Sequence, residues 1–434
     1  MTTRLPICFT TQPRRTLRAI TLATLTVLAA AGTAPVLAQQ AAAPAAAASA
    51  PSVRAETAKP LQEAQEALKA GKHQEALDKL TAVEAIAGIT PYERYVVGRF
   101  RLAAASGKGD TAQAMAALQG VIDTEFLPEA ERRPLNEALI RLAVQHKQYA
   151  VAVQRYPVYV AAGGNSTELR ELYPRLLAET GDQAGAVREF AALVKAEEAA
   201  NRVPGEVLLS RLAVAQNTLK DDAGYLDTLA KLAGTTGKSD YWNELIARTA
   251  QRNGFADERL RLDLYRLKQA VGLSLPAGEV GDMAYRASQI GLPSEAQKLL
   301  DDGFNSGVLG KDANAAADRK LREAVTKAAA NDRASLNDAE TAARNAKDGN
   351  VPFALGMALS GAGQHDKALA VMAVGQAKGG LRQPDDALLH LGVVQVRAGK
   401  VADALGTFAQ VKGSDGTADL ARLWTLYLKS PARK

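Results

Sequence analysis

Residues 385–411 read DDALLHLGVVQVRAGKVADALGTFAQV, and the spacing within them decides the fold. Leu389, Val393 and Val396 recur at helical spacing, in a helix that stops at Gly399. Glycine is the residue that takes the left-handed backbone a helix end requires, and Arg397 ahead of it suits a C-terminal turn. Ala404 and Phe408 follow five and nine residues after Gly399, four apart and so on one face of a second helix. Gly392, seven before the turn, is a small residue where two helix backbones approach each other.

The same marks recur along the chain. A turn residue, then alanine, then a bulky side chain appear as Gly71, Ala76, Leu80; Gly109, Ala114, Leu118; Lys147, Ala152, Tyr156; and Gly181, Ala186, Phe190. They return as Gly291, Ala296, Leu300 and as Gly363, Ala368, Met372. The turns at 71, 109, 147 and 181 are 38, 38 and 34 apart; those at 291, 363 and 399 are 72 and 36 apart. Weaker turns near Asp221, Gly254 and Asn331 fill the gaps. The spacing predicts about ten helical hairpins and a lone helix from Thr417 to Leu428. Each hairpin has two apolar faces, which only stacking can bury. Composition agrees: alanine is about one residue in five and aromatics are 5%, a mixture for closely packed helices rather than sheets.

The array predicts its own limits. Arg4, Arg14, Arg15 and Arg18 precede an apolar run from Ala19 to Ala31, followed by Ala34-Pro35-Val36-Leu37-Ala38. That is the three-part pattern of a secretory signal with cleavage after Ala38, and a run of 13 residues is too short to span a bilayer. Residues 39–59 are rich in alanine and proline and read as a flexible leader; residues 60–434 form the repeat array. The signal holds four arginines and no acid, so the net charge of +6 becomes +6 − 4 = +2 without it. A nearly neutral exported chain gives no reason to expect nucleic acid. The one cysteine, Cys8, lies in the same segment, and no later stretch is apolar enough for membrane insertion. The expected location is the periplasm, with secretion as an extension of the same route.

The stretch from Asp385 to Val411 resembles a tetratricopeptide (TPR) repeat through Leu388, Gly392, Gly399, Ala404 and Phe408. Phe353 to Met372 and Leu61 to Leu80 are similar. Leu102, Ile140 and Pro174 stand where the small residue is expected, and Arg259 and Asp263 stand at the two marked sites after Gly254. The resemblance implies an all-α, TPR-like solenoid capped by the final helix. The chain is also similar to proteobacterial periplasmic TPR proteins described as components of the TonB system, through Tyr241-Trp242 to Leu267, Gly291 to Gly310 and Gly416 to Trp424.

No catalytic, cofactor or metal site is expected. His73, His146, His365 and His390 are far apart, with no paired spacing. Gly237-Lys238-Ser239 has the tail of a phosphate loop, but Leu232 stands where its first glycine belongs. No G-x-S-x-G elbow occurs. Glu197-Glu198 and Asp221-Asp222 read as solvated pairs. The cluster Arg248, Arg252, Arg259, Arg261 and Arg266, interleaved with Glu244, Asp257, Glu258 and Asp263, reads as a mixed-charge solvent face or, alternatively, a surface for an anionic partner.

The resemblance places a protein or peptide partner on the concave surface, lined by the first helix of each hairpin. The sites ten and six residues before each turn share a helix face. They are Glu137 with Arg141, Glu171 with Arg175, Phe353 with Met357, and Leu389 with Val393, the last two pairs flanked by Tyr285 and Arg397. The charged pairs are either internal ion pairs or a stripe for a partner's polar tail. The apolar pairs are either core or a groove for an amphipathic helix or extended peptide. The function expected is a non-enzymatic scaffold for envelope proteins, near a TonB- or Tol-type energised complex. The alternative is an accessory of cell-wall or exopolysaccharide assembly that binds a synthase or glycan.

Overall fold

All seven turn residues of the repeat pattern are left-handed: Gly71, Gly109, Lys147, Gly181, Gly291, Gly363 and Gly399 have φ between 58° and 91°. The structure, a computed structural model, describes residues 51–431. The expected signal segment lies outside them. Twenty-one helices and no strand occur among the described residues. In chain order they are α1 (Ala55–Lys69), α2 (His73–Glu84), α3 (Pro91–Lys108), α4 (Thr111–Ile122), α5 (Glu129–Gln145), α6 (Tyr149–Ala161) and α7 (Thr167–Glu179). Then come α8 (Gln183–Ala199), α9 (Glu206–Leu219), α10 (Asp222–Thr236), α11 (Ser239–Ala250), α12 (Asp257–Ala270), α13 (Ala277–Gln289) and α14 (Pro293–Asn305). The last are α15 (Ala315–Ala334), α16 (Leu336–Asn345), α17 (Asn350–Gly361), α18 (His365–Lys378), α19 (Pro384–Arg397), α20 (Val401–Phe408) and α21 (Thr417–Lys429). The fold is the all-α, TPR-like solenoid that the repeats predict.

The repeat marks have the expected physical roles. Ala76, Ala152, Ala186, Ala296, Ala368 and Ala404 are fully buried. A Cβ on Gly392 would run into the Phe408 ring, and one on Gly356 into Met372. The bulky residue thus first fills the small site of its own hairpin, and Phe408 then meets the next helix by stacking on Trp424, 6.1 Å between centroids. Aspartates open several second helices: Asp110 accepts from the Gln113 amide at 3.0 Å and Asp182 from Gly185 at 2.8 Å.

Four details differ from the expectation. The first helix starts at Ala55, inside the stretch read as leader. The turn read at Asp221 is made by Lys220 (φ 61°), and Asp221 instead caps α10. No turn occurs at Asn331; α15 runs through it for 20 residues, because Ala-rich sequence without glycine has no residue to end the helix. And of the ten successive helix pairs, eight pack along their length, while α11/α12 and α15/α16 splay apart.

The array also closes on itself. The final helix was expected to cap the last hairpin, and it does pack on α19 and α20. It also touches α10 and α12, in the middle of the chain. Arg422 pairs with Asp227 at 3.3 Å, Arg252 with Asp419 at 2.6 Å, and the Ser430 hydroxyl donates to the Gly234 carbonyl at 2.5 Å.

Two substitutions check this account. Lys147 holds a left-handed backbone that costs a β-carbon-bearing residue roughly 1–2 kcal/mol, while glycine costs about 0.5–1 kcal/mol more to order. Lys147→Gly is therefore expected to stabilise the chain by about 0.5–1 kcal/mol in urea unfolding. Gly392→Val is expected to destabilise it by about 1–3 kcal/mol through overpacking against Phe408.

Candidate partner-binding face

The first helix of each hairpin turns one face away from its own second helix, and the two halves of the array treat that face differently. In the second half it is filled. Leu260, Leu262, Asp263, Leu264, Tyr265, Arg266 and Leu267 of α12 are buried, so the middle of this helix is enclosed all round. Its polar contacts reach several partners. Asp282 of α13 accepts from the Tyr265 hydroxyl at 2.9 Å, and Lys268 meets Glu279 of α13 at 2.7 Å. Asp263 meets His390 of α19 at 3.1 Å. Arg259 pairs with Asp386 at the start of α19 and with Asp415 just before α21.

A buried ion cluster anchors this helix. The Arg266 guanidinium donates two hydrogen bonds to Glu295, at 3.0 and 2.6 Å, and one to Asp263 at 2.8 Å. Glu295 also accepts from Arg397 at 2.7 Å. Burial pushes the Glu295 carboxyl up, but Arg266 and Arg397 outweigh it and hold it down at about 2. Burial likewise opposes ionisation of Asp263, and the charges of His390 and Arg266 bring it well below the usual carboxylate range. The guanidinium of Arg266 is destabilised by burial and more than restored by Glu295 and Asp263.

This arrangement corrects several expectations. Phe353, Met357, Leu389 and Val393 are buried, Leu389 completely, so the apolar stripe is core and no open groove exists there. Arg397 flanks no groove; it is committed to Glu295. The basic cluster is not one solvent face: Arg266 is buried, while Arg259 and Arg252 hold α19 and α21. Arg248 and Arg261 do pair locally, with Glu244 and Asp257. Tyr285 is exposed. The missed signal was in the sequence. Leu260, Leu264 and Leu267 share one helix face, and Leu262 with Tyr265 stands on the opposite one, a pattern for enclosure rather than for a hairpin.

In the first half the same face is open. Arg141 of α5 pairs with Glu137 as expected, at 3.0 Å, and also with Glu168 of α7 at 2.7 Å. The expected Glu171–Arg175 pair does not form; Arg175 lies 4.0 Å from Glu179 instead. On α9, Val207 and Val214 are exposed, as is Val203 just before the helix. Arg211 lies between them, also exposed, and no carboxylate pairs with it. Partial desolvation and the neighbouring Arg175 both lower its pKa. On the other flank of α9, Glu206 accepts from Tyr241 and Lys238 of the α11 region, at 2.8 and 2.6 Å. Sequence reasoning missed this patch, because it ranked the sites by the charge pairs of α5 and α7. No group of metal-ligating side chains occurs among the described residues, nor any helix long and apolar enough to cross a membrane.

No family model matches the chain, and no curated protein does. Among solved structures, it is similar to "Structure of Naa15/Naa10 bound to HypK-THB", with a TM-score of 0.25, 16% identity, and 86% of this chain covering 67% of that one. It is similar to yeast Tom70, with a TM-score of 0.22, 11% identity, and 86% and 96% covered. It is similar to the P58(IPK) TPR domain, with a TM-score of 0.18, 12% identity, and 87% and 100% covered. Likenesses of this size add nothing to what the helices themselves show.

The ion cluster has a pH signature. Because the Glu295 carboxyl falls from 4.5 to about 2 on folding, the stability it contributes is complete above 4.5 and is lost as pH falls through 2. Glu295→Gln leaves Arg266 and Arg397 short of a carboxylate and is expected to cost about 3–5 kcal/mol at pH 7. Thermal melts should also show a flatter melting temperature between pH 4.5 and 2 in the variant than in the parent chain.

Proposed function

We propose that this chain is a non-enzymatic scaffold of the cell envelope that holds a protein partner on the open first-helix face of α5, α7, α9 and α11. One observation carries the reading. The chain fills this type of face with its own helix α12 in the second half and leaves it unfilled, with valines in water, in the first. Isolated exposed valines are ordinary. Among the described residues, four of the eleven exposed large apolar side chains, Val203, Val207, Val214 and Leu219, gather on one helix and its approach. A packed array presents such a face without reordering, so a partner loses less entropy on binding.

Export rests on the signal pattern of residues 1–38, and the reading places the mature chain in the periplasm. The further placement beside a TonB- or Tol-type complex rests on the family resemblance. Two of the segments carrying that resemblance, Tyr241 to Leu267 and Gly416 to Trp424, are α11–α12 and the start of α21. They build the closure of the array, so they speak for a shared architecture more than for a shared partner.

Replacing Val207 or Val214 by a photo-crosslinking phenylalanine in living cells tests the proposal. The expected result is a discrete adduct with an envelope protein from both positions, and none from the buried Leu389. No adduct from either exposed position removes the scaffold reading. Fractionation checks the location: the chain should appear in osmotic-shock fluid, starting at Gln39.

A further inference from the structure

We infer that the segment held on α9 is an amphipathic helix with a carboxylate between two apolar residues, as α12 has around Asp263. This inference rests on the scaffold reading above and takes its chemistry from the occupied half of the same molecule.

Equivalent positions can be matched by counting back from the left-handed turn residue. His390 lies nine residues before Gly399, and Arg211 lies nine before Lys220. Val393 and Val214 lie six before the same turns. In α19 the ninth position receives a carboxylate from the enclosed helix, with His390 meeting Asp263 at 3.1 Å. In α13 the ninth position before Gly291 is Asp282, and it accepts from the Tyr265 hydroxyl of that helix at 2.9 Å. Two independent hairpins therefore use this register position to contact the polar side chain of whatever lies on the face.

On α9 the position carries a permanent cation with no counter-charge. Arg141 of α5 and Arg248 of α11 each have a carboxylate within 3.0 Å. Arg211 has none and has Arg175 for a neighbour. A guanidinium so placed favours a carboxylate strongly, since the bond is charge-assisted and relieves repulsion from the second arginine. Val207 lies four residues before Arg211 and Val214 three after it, on one helix face. Leu260 and Leu267 bracket Asp263 by three and four residues in α12. The spacing of apolar, charged and apolar groups is thus complementary between the open face and a helix of the α12 type. A basic segment is disfavoured by the pair of arginines, and a wholly apolar one leaves Arg211 desolvated and unpaired.

The probe is a fluorescein-labelled peptide of residues 256–271 with Arg259, Arg261 and Arg266 replaced by glutamine, titrated with the full chain by fluorescence anisotropy. The expected result is saturable binding that weakens about tenfold or more with Arg211→Glu, the scale of one charge-assisted hydrogen bond. Binding to this variant should recover when the peptide carries Asp263→Lys. Arg211 is exposed, so an unchanged melting temperature verifies the fold of the variant. No binding of the peptide, or binding that ignores Arg211→Glu, overturns the inference. An adduct at Val207 alongside such a result leaves the scaffold and removes its acidic helix; no adduct removes both.

Discussion

The Arg266 guanidinium is the constraint on which the second half of the array depends. It is buried with two carboxylates, and it draws them from different helices, Asp263 from α12 and Glu295 from α14. Glu295 then brings in Arg397 at the end of α19, and Asp263 brings in His390 in its middle. Leucine packing alone would set the register of α12 only loosely, because Leu260, Leu264 and Leu267 share one face and Leu262 with Tyr265 offers a second. Directional bonds to buried charges admit one register. A charge left over in any other register would be desolvated without a partner, which costs far more than the pairs contribute when made.

Fixing α12 has consequences at a distance in sequence. Once it is seated against α13 and α19, its first turn presents Arg259 to Asp386 and Asp415, and the Ala256 amide donates to the Asp415 carbonyl at 2.7 Å. That places the start of α21, which then lies along α10. The last helix of an open solenoid needs a polar outer face to remain soluble. Here the outer face is covered by the chain itself, and its apolar Leu426 lies against Gly234. Closure and enclosure are one event, and both follow from the splaying of α11 and α12.

The sequence made the hairpins legible and the exceptions obscure, for one physical reason. A turn glycine, a buried alanine and a bulky residue act within one hairpin, so Gly399, Ala404 and Phe408 could be read from their spacing. Lys147 and Lys220 show that the pattern does not depend on glycine; the turn geometry takes lysine at a cost in strain. What spacing cannot show is which hairpin faces meet. Leu389 and Val393 read equally as core or groove, and the difference is made by α12, more than a hundred residues earlier. Arg259 and Asp263 were visible as misfits in the repeat. They occupy sites meant for alanine and a bulky apolar residue because their helix is an occupant of the array rather than one of its rungs.

This view also explains where open surface remains. In α9, α13 and α19 a polar residue stands nine before the turn, whether the face is filled or free, so composition does not separate the two cases. The counter-charge does. In the filled half, Glu295 and Asp386 each meet a cation from another helix, and Asp263 meets Arg266 of its own. On α9 the carboxylate is missing: Arg211 feels the charge of Arg175 and has Val207 and Val214 on either side. On the function proposed above, this imbalance of charge within an apolar strip is one half of the interface, and the partner supplies the other.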